Sequence, residues 1–250
     1  MKISVITICY NCEKTIEKTI KSVLEQKYND IEYIIIDGGS QDDTLKIIKT
    51  YNDKITKLVS ERDNGIYDAI NKGIELSKGE VIALLHGNDI FFDENVLSKV
   101  AEFFIKNKKV EIMLSDLAFK NKFEQNNFTR YYSAKKFRPW MLRIGISPPH
   151  LSTFFKQSVF SKVGLYETKF KIAGDFDYFV KCFLKHKIQY KYFENCLVLM
   201  STGGKSGKNF KSYLTSSKEI NISLKSNLYY SNIFITFLRF PIKLLQFFFK

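Results

Sequence analysis

The sequence predicts an α/β fold, a mostly parallel sheet flanked by helices, with a C-terminal amphipathic helical tail. Through the first hundred residues, apolar and β-branched segments alternate with segments of helical periodicity. Polar clusters follow several of the predicted strands. Repeated strand–helix units place parallel strands side by side, and such sheets bind ligands beyond the carboxyl ends of their strands.

The predicted elements follow one another without long gaps. The first strand covers residues 2–8, and the first helix covers residues 13–26, where apolar residues recur on one face. The second strand covers residues 31–36. A Ser40–Asp43 spacing typical of a capping box then predicts a helix to about residue 51. The remaining predictions are a strand at 55–59, a helix at 66–76, a strand at 81–85, a helix at 93–105 and a strand at 110–114.

Composition and charge limit the classes of function. The chain has 250 residues, 45% hydrophobic and 15% aromatic, which suits a folded core rather than disorder. Four cysteines are too few for a disulfide scaffold. Residues 1–100 carry 13 basic and 17 acidic side chains, whereas residues 101–250 carry 26 basic and 9 acidic ones. A basic surface suits a phosphorylated substrate, anionic lipid or nucleic acid, and charge alone does not choose among them.

Several motifs are missing from the sequence. The first residues lack a signal-peptide cleavage site, which predicts a cytoplasmic chain with reduced thiols. There is no GxGxxG and no GxxxxGK[ST], which argues against a dinucleotide fold and a P-loop ATPase. A nucleotidyltransferase would need a loop rich in glycine and lysine after the first strand, and this sequence has no such loop there. Cys9 and Cys12 form a lone CxxC, interpreted as small residues at a strand end rather than a redox pair or half of a zinc site.

Two aspartates follow predicted strands at the same edge of the sheet. Asp37 can accept a hydrogen bond from a nucleobase imide or a ribose hydroxyl, or it can stabilise the turn after it. Asp89 can bind a hard cation that would hold a diphosphate, or it can be an ordinary loop aspartate. Several polar strand ends at one edge favour a ligand site over separate turns.

Three ordered motifs resemble the inverting family-2 glycosyltransferases. They run from Ser4 to Asn11, from Glu32 to Thr44 and from Glu61 to Gly73. The third resembles a subgroup that builds bacterial capsule, O-antigen and exopolysaccharide repeats. The resemblance extends from residue 2 to about residue 206 and implies the GT-A fold, a Rossmann-like form of the predicted sheet.

The resemblance implies positions for a nucleotide-sugar donor. The residues that it assigns to the donor are Thr7, Tyr10, Asn11, Asp37, Asp63, Asn64 and Asn71. Asp37 would lie at the base, and Asp63 and Asn64 would lie near the base and the ribose. Asn71 would help to shape the pocket. UDP is the expected nucleotide because a carboxylate suits the imide of uracil, with GDP and dTDP left open.

The metal-binding motif of the family falls at residues 86–89. Its usual form is richer in carboxylates. Here Asp89 matches the last carboxylate, and His86 and Asn88 stand at positions that are often aspartate. The resemblance therefore implies a Mn²⁺ or Mg²⁺ site on Asp89, His86 and Asn88. An imidazole among the donors favours Mn²⁺ over Mg²⁺.

The second half of the chain carries the expected acceptor side. The resemblance implies that Asp175 is the general base, although its position before an apolar run also suits a helix N-cap. Asp177 is expected to be a second carboxylate in the pocket. His150 either contacts the acceptor or a phosphate, or it packs as a loop histidine under two prolines.

Two C-terminal features leave alternatives open. The glycine turn at residues 201–206 either closes over the donor, with Lys205 near the diphosphate, or is a plain surface turn. From residue 229 the chain is very apolar, and polar residues recur at helical spacing: Asn232, Thr236, Arg239, Lys243, Gln246 and Lys250. This pattern favours a helix that lies on an anionic membrane surface through residues 229–250, with packing against its own domain or a second subunit as the alternative.

The predicted function is that of an inverting, metal-assisted glycosyltransferase in bacterial surface polysaccharide synthesis. It would move a sugar from a nucleotide-diphosphate sugar to a glycan or polyprenyl-diphosphate-linked acceptor, with no nucleic acid as partner. The alternative is a catalytically degenerate or non-enzymatic module that binds nucleotide sugars or polyanions. The expected organisation is a domain at 1–205, in which residues 1–115 bind the donor and residues 116–205 bind the acceptor, and a basic, aromatic extension at 206–250. The expected location is cytoplasmic, peripheral on the inner face of the plasma membrane.

Overall fold

The first half of the chain builds four parallel strands joined by helices. The computed structural model describes residues 1–120, 128–201, 210–232 and residue 236. The parallel strands are β1 (Ile3–Cys9), β2 (Ile31–Asp37), β3 (Lys57–Ser60) and β4 (Val81–His86). The helices between them are α1 (Ile16–Leu24), α2 (Thr44–Lys49) and α3 (Ile66–Leu76). All seven residues of β1 are buried, so this strand lies within the hydrophobic core.

The later strands make the other half of the sheet mixed. They are β5 (Ile90–Phe91), β6 (Ile112–Lys120), β7 (Phe128–Tyr132), β8 (Thr153–Lys156) and β9 (Tyr190–Ser201). The described strands form one sheet in the order β3-β2-β1-β4-β8-β6-β9-β5, with β7 beside β6. β8 runs antiparallel to both β4 and β6, whereas β9 runs parallel to β6. The predicted α/β sheet with flanking helices is confirmed, and its parallel strands are concentrated in β1 to β4.

The remaining helices follow β5 along the chain. They are α4 (Val96–Lys106), α5 (Gln157–Val163), α6 (Gly174–Phe179) and α7 (Phe210–Ser226). α6 continues as a π-helical segment, Val180–Lys185, and a short 3₁₀ helix covers Pro139–Ile144. All four cysteines are free thiols. Among the residues that the structure describes, no helix has the length and apolarity to cross a bilayer.

Two predicted helix starts are wrong for the same physical reason. The Asp93 carboxylate accepts a hydrogen bond from the Asn95 N–H at 2.8 Å, and α4 begins only at Val96. Ser40 donates its N–H and hydroxyl to Asp37 instead of capping α2, which begins at Thr44. Short polar side chains offer the backbone local turns that compete with a helix.

Candidate active site

The carboxyl ends of β1, β2 and β4, with the loop after β3, form one polar edge of the sheet. We call residues 10–11, 37–41, 63–65 and 86–89 the strand-end edge. Two hydrogen bonds join its first two segments, because the Asn11 N–H donates to Ser40 Oγ and the Gln41 N–H donates to Asn11 Oδ1, each at 2.9 Å. Asn11 has a φ of 48°, in the left-handed region that asparagine tolerates better than most residues. Beside it, Tyr10 is 52% exposed and presents an aromatic ring at this edge.

Asp37 is fully buried, and its carboxylate serves the turn that follows β2. It accepts hydrogen bonds from the Ser40 N–H at 3.1 Å, from the Ser40 hydroxyl and from the Ser60 hydroxyl at 2.7 Å. With no exposed surface, this carboxylate has no room for a nucleobase. The structure corrects the predicted contact between Asp37 and the base and favours the turn alternative.

The carboxylate that the edge presents beside β2 is that of Asp63. This side chain is half-buried, and its Oδ1 accepts a hydrogen bond from the Gly65 N–H at 2.9 Å. A Cβ added to Gly38 would lie 2.3 Å from Asp63 Oδ2, so the carboxylate lies directly over the residue that follows β2. Asn64 next to it is exposed. Asp63 and Asn64 are therefore accessible polar groups at the position predicted for the base and ribose.

Two residues predicted to bind the donor contact the interior of the protein. Thr7 is fully buried in β1, and its hydroxyl lies 3.2 Å from that of Tyr33. The structure disfavours the predicted donor contact of Thr7, because its side chain has no exposed surface. The Asn71 amide donates to Tyr166 O at 2.8 Å and accepts from the Tyr166 N–H at 2.9 Å. Asn71 thus joins α3 to the second half of the chain.

His86 and Asp89 place an imidazole and a carboxylate side by side after β4. Asp89 is fully buried, and its Oδ1 accepts a hydrogen bond from the Ser201 N–H at 3.0 Å. Its Oδ2 has no hydrogen-bond partner among the described residues and lies 3.5 Å from His86 Nδ1. Burial raises the pKa of Asp89 to about 7 and lowers the pKa of His86 to about 3. The imidazole is therefore neutral at pH 7, as a metal ligand must be.

These two groups fit a divalent cation as its protein ligands. A buried carboxylate oxygen without a hydrogen-bond partner among the described residues faces a neutral ring nitrogen, and both are donors that Mn²⁺ accepts. Within the described ranges, no group of three or more His, Cys, Asp or Glu side chains converges on one point. Asn88 is held through its backbone, since its carbonyl accepts from Ser201 Oγ at 2.6 Å. The phosphate oxygens of a ligand would have to complete the coordination.

Asp175 lies in the first turn of α6, and the loop before it contacts α3. The helix begins at Gly174, and Ala173 is its N-cap residue. Asp175 is therefore not the N-cap that the sequence also allowed. It lies within the first turn and is half-buried. Tyr67 of α3 donates to Ile172 O at 2.8 Å, and its Oη lies 3.5 Å from Asp175 Oδ1. A Cβ on Gly174 would lie 2.7 Å from the Tyr67 ring. Burial and the nearby Asp175 raise the pKa of Tyr67 well above its usual value, so its hydroxyl stays protonated.

His150 packs among aromatic rings. Its Nε2 lies 2.8 Å from Tyr166 Oη, and the rings of Phe155 and Phe179 lie 6.4 and 5.8 Å away, centroid to centroid. Burial lowers the pKa of His150 to about 4, so it carries no charge at pH 7 that could attract a phosphate. The structure favours the packing alternative for His150. Tyr166 also stacks on Tyr67 at 6.0 Å, so His150 supports the loop around Asp175 indirectly.

Asp177 is buried and joins α6 to α7. Its Oδ1 accepts hydrogen bonds from Ser223 Oγ at 2.7 Å and from Asn227 Nδ2 at 3.2 Å, and its Oδ2 lies 3.3 Å from Lys181 Nζ. This corrects the prediction of a second pocket carboxylate, because the partners of Asp177 belong to the protein interior.

The C-terminal predictions fall mostly on residues that are not described. Lys205 and its glycine turn lie outside the described residues, as does most of the range 229–250. Thr236, a member of the predicted polar stripe, is fully buried and accepts a hydrogen bond from Asn221 Nδ2 at 3.0 Å. At this residue the packing alternative holds.

Two residues that support the site were missed by the sequence analysis. Tyr67 lies inside the third motif, but no local pattern shows that it reaches residue 172. Glu219 accepts hydrogen bonds from the loop before α6. Its sequence signal is that it is the only acidic residue among residues 201–250.

Comparison of the sequence with known proteins gives consistent matches. A sequence profile of Glycosyl transferase family 2 matches residues 4–163. A PGL/p-HBAD biosynthesis glycosyltransferase of Mycobacterium tuberculosis is 25% identical over 192 residues, which cover 76% of this chain and 72% of that protein. An uncharacterized glycosyltransferase of Mycobacterium tuberculosis is 30% identical over 187 residues, which cover 73% and 69%.

Solved structures show the same fold. S. aureus TarS superposes with a TM-score of 0.68 and 18% identity, over 90% of this chain and 40% of the TarS chain. Residues 1–349 of TarS in complex with UDP-GlcNAc give 0.68 and 17%, over 90% of this chain and 66% of that one. The Pyrobaculum calidifontis mannosyltransferase PcManGT, in complex with GDP-Man and Mn²⁺, gives 0.64 and 15%, over 92% and 65%. This chain thus spans less than half of the TarS chain, and the likeness at such identities is one of fold.

Proposed function

This chain belongs to glycosyl transferase family 2 and is a glycosyltransferase, and we propose that it transfers a sugar from a nucleotide-diphosphate sugar with inversion at the anomeric carbon. We assign the general base to Asp175. The observation that carries the assignment is the contact of Tyr67 with residues 171–175, the base loop. Tyr67 stands in the first turn of α3, which begins beside Asp63, so a single helix links the base loop to the strand-end edge.

The donor would lie across the strand-end edge at Tyr10, Asn11, Asp63 and Asn64. The Asp63 carboxylate can accept the imide N–H of uracil, and the exposed ring of Tyr10 can stack on a base. A UDP-sugar is therefore the proposed donor. The TarS structure with UDP-GlcNAc supports this choice through its fold, and PcManGT with GDP-Man makes a guanine nucleotide the second choice.

Asp89 and His86 are the residues that would hold a divalent cation, with Asn88 beside them. Support comes from the buried Asp89 Oδ2, which lacks a hydrogen-bond partner among the described residues. When bound, Mn²⁺ or Mg²⁺ stabilises the charge that develops on the departing diphosphate. The imidazole favours Mn²⁺.

The chemistry assigned to Asp175 is the removal of one proton. The acceptor oxygen forms its bond to the anomeric carbon while the bond from that carbon to the diphosphate breaks, and the electron pair leaves with the nucleotide. Asp175 takes the proton from the attacking hydroxyl. Because attack comes from the face opposite the leaving group, an α-linked donor gives a β-linked product.

The proposed acceptor is a glycan or a polyprenyl-diphosphate-linked sugar in bacterial surface polysaccharide synthesis, reached from the inner face of the plasma membrane. Support comes from exposed side chains around the 3₁₀ helix: Lys135, Lys136, Arg138, Trp140 and Arg143. Residues 125–166 contain no acidic side chain. Cations attract anionic lipid, and tryptophan favours the membrane interface. Trp140→Ala should therefore lower binding to phosphatidylglycerol vesicles in a flotation assay, and unchanged binding would contradict peripheral attachment through this surface.

A donor panel tests the proposed reaction. The chain is incubated with UDP-glucose, UDP-galactose, UDP-GlcNAc, dTDP-glucose or GDP-mannose, with membrane extract as acceptor, and nucleotide release is measured with Mn²⁺, Mg²⁺ or EDTA. We expect metal-dependent turnover of UDP-sugars. Glu102→Gln, which removes an exposed charge on α4, is the control and should behave as wild type. Absence of both turnover and binding for every donor would contradict the proposal. Binding without turnover would favour the degenerate module.

A further inference from the structure

Helix α7 holds the loop that leads into Asp175. Its Glu219 is 8% exposed. The Glu219 carboxylate accepts hydrogen bonds from the backbone N–H groups of Lys171 at 3.0 Å, Ile172 at 2.9 Å and Ala173 at 2.8 Å. These residues are consecutive, and α6 begins at the next residue. One buried carboxylate therefore determines the course of the backbone directly before the proposed base.

The base loop is also held from α3. Ile172 donates its N–H to Glu219 and accepts the Tyr67 hydroxyl at its carbonyl, so both backbone polar groups of this residue are bound by side chains of different helices. Gly174 lies against the Tyr67 ring, and any larger residue there would overlap it. Residues 172–174 are thus fixed from two sides.

The negative charge of Glu219 stands in a basic part of the sequence. It is the only acidic residue among residues 201–250, which carry 8 basic ones. Burial of a carboxylate costs free energy unless hydrogen bonds satisfy it, and bonds to a charged acceptor are roughly twice as strong as neutral ones. The three N–H groups of the base loop meet this need. Bonds of this strength suit a loop whose exact position matters for function.

We infer that Glu219 is a positioning residue, which holds residues 171–173 so that the Asp175 carboxylate stays in line with the acceptor hydroxyl. The inference rests on the proposed function, in which Asp175 is the base. A displacement of about 1 Å in reacting geometry costs on the order of 100-fold in rate. Loss of Glu219 therefore lowers kcat and leaves the binding of the donor nucleotide intact.

Two variants and a matched control test this inference. Glu219→Ala removes the carboxylate, and Glu219→Gln keeps an acceptor oxygen without the charge. Asn221→Ala, on the same helix, removes hydrogen bonds to other partners and none to the base loop; those partners are Ser217, Ser231 and Thr236. For each protein, kcat is measured with UDP-GlcNAc and the other panel donors, Kd is measured with UDP, and amide exchange is followed by mass spectrometry.

We expect Glu219→Ala to lower kcat by about 10- to 100-fold while Kd for UDP changes less than about twofold, because only the base loop moves. Glu219→Gln should fall between this variant and wild type. Amide exchange should become faster at residues 171–173 and stay unchanged in β1 and β4. Azide attacks the anomeric carbon without losing a proton, so donor cleavage by azide should match wild type in Glu219→Ala and Asp175→Asn.

Unchanged kcat in Glu219→Ala would overturn the inference, whether or not amide exchange becomes faster. A joint loss of UDP binding, azide-dependent cleavage and thermal stability, beyond that of Asn221→Ala, would also overturn it, because that pattern marks a merely structural residue. If wild type turns over no donor, the proposed function fails by itself. The exchange measurement then still decides whether Glu219 holds residues 171–173.

Discussion

The strand-end edge is held in part by short local turns, whereas the base loop is held by partners far away in the chain. In the strand-end edge, Asp37 binds Ser40, three residues away, and Asp63 binds Gly65, two residues away. Longer bonds of Asn11 and Asp89 connect its segments to each other and to β9. In the base loop, Ile172 binds Tyr67 across 105 residues, and its other bond reaches 47 residues to Glu219. Parallel strands place their polar ends at one edge with the help of short turns, whereas an irregular loop needs partners from distant elements.

The strand-end edge and the base loop are assigned to different steps of the reaction. Changes at the strand-end edge are expected to alter the binding of the donor nucleotide. Changes at the base loop are expected to alter kcat while nucleotide binding persists. The following variants test whether the two effects can be separated.

Asp175→Asn should have the largest effect. Removal of a general base typically lowers kcat by about 10²- to 10⁴-fold, and the amide keeps the size of the side chain. Kd for UDP, measured by calorimetry, should stay at the wild-type value because Asp175 is assigned to the acceptor side. A fall in kcat below about tenfold would remove Asp175 from the base role, since it is less than general-base catalysis supplies.

Gly174→Ala and Gly38→Ala make the same chemical change in the two regions. The new Cβ at residue 174 would lie 2.7 to 2.8 Å from ring atoms of the buried Tyr67, and the new Cβ at residue 38 would lie 2.3 Å from the end of the Asp63 side chain. Gly174→Ala should lower kcat by about tenfold or more through displacement of the base loop. Gly38→Ala should raise Kd for UDP and leave kcat at saturating donor nearly unchanged. The reverse pattern in steady-state kinetics would contradict the assignment of the base loop to turnover and of the strand-end edge to donor binding.

Asn71→Ala should have the smallest effect on turnover, and its main effect should be on stability. Asn71 joins α3 to the second half of the chain by two hydrogen bonds to Tyr166. Their loss leaves backbone groups unpaired and should lower the free energy of unfolding by about 1–3 kcal/mol in urea titrations. Asn64→Ala, an exposed matched change, should stay within about 0.5 kcal/mol. Equal effects of the two variants would show that Asn71 does not join the halves.

The elements of the first half of the chain follow closely from periodicity. α3 has the predicted bounds, 66–76, and β4 passes the predicted end at residue 85 by one residue. β6 shows where the pattern fails, because the pattern predicts a strand end at residue 114, whereas β6 continues to Lys120. Asp116 is buried inside it, where Tyr131 and Tyr192 donate to its carboxylate at 2.9 and 2.7 Å. A polar residue in a pattern indicates a strand end, and its partners on other strands are invisible to the pattern.

The α/β class, the family resemblance and the order in which polar residues follow the strands could all be predicted from the sequence, because they depend on short-range periodicity and motif identity. The accessibility of each aspartate, in contrast, depends on the folded chain. Asp37 and Asp177 are buried with protein partners, whereas Asp63 and Asp175 stay half-exposed. The physical reason is that the surroundings of a carboxylate are assembled from segments far apart in the chain. No local pattern could therefore show that α3 and α7 hold the loop before Asp175.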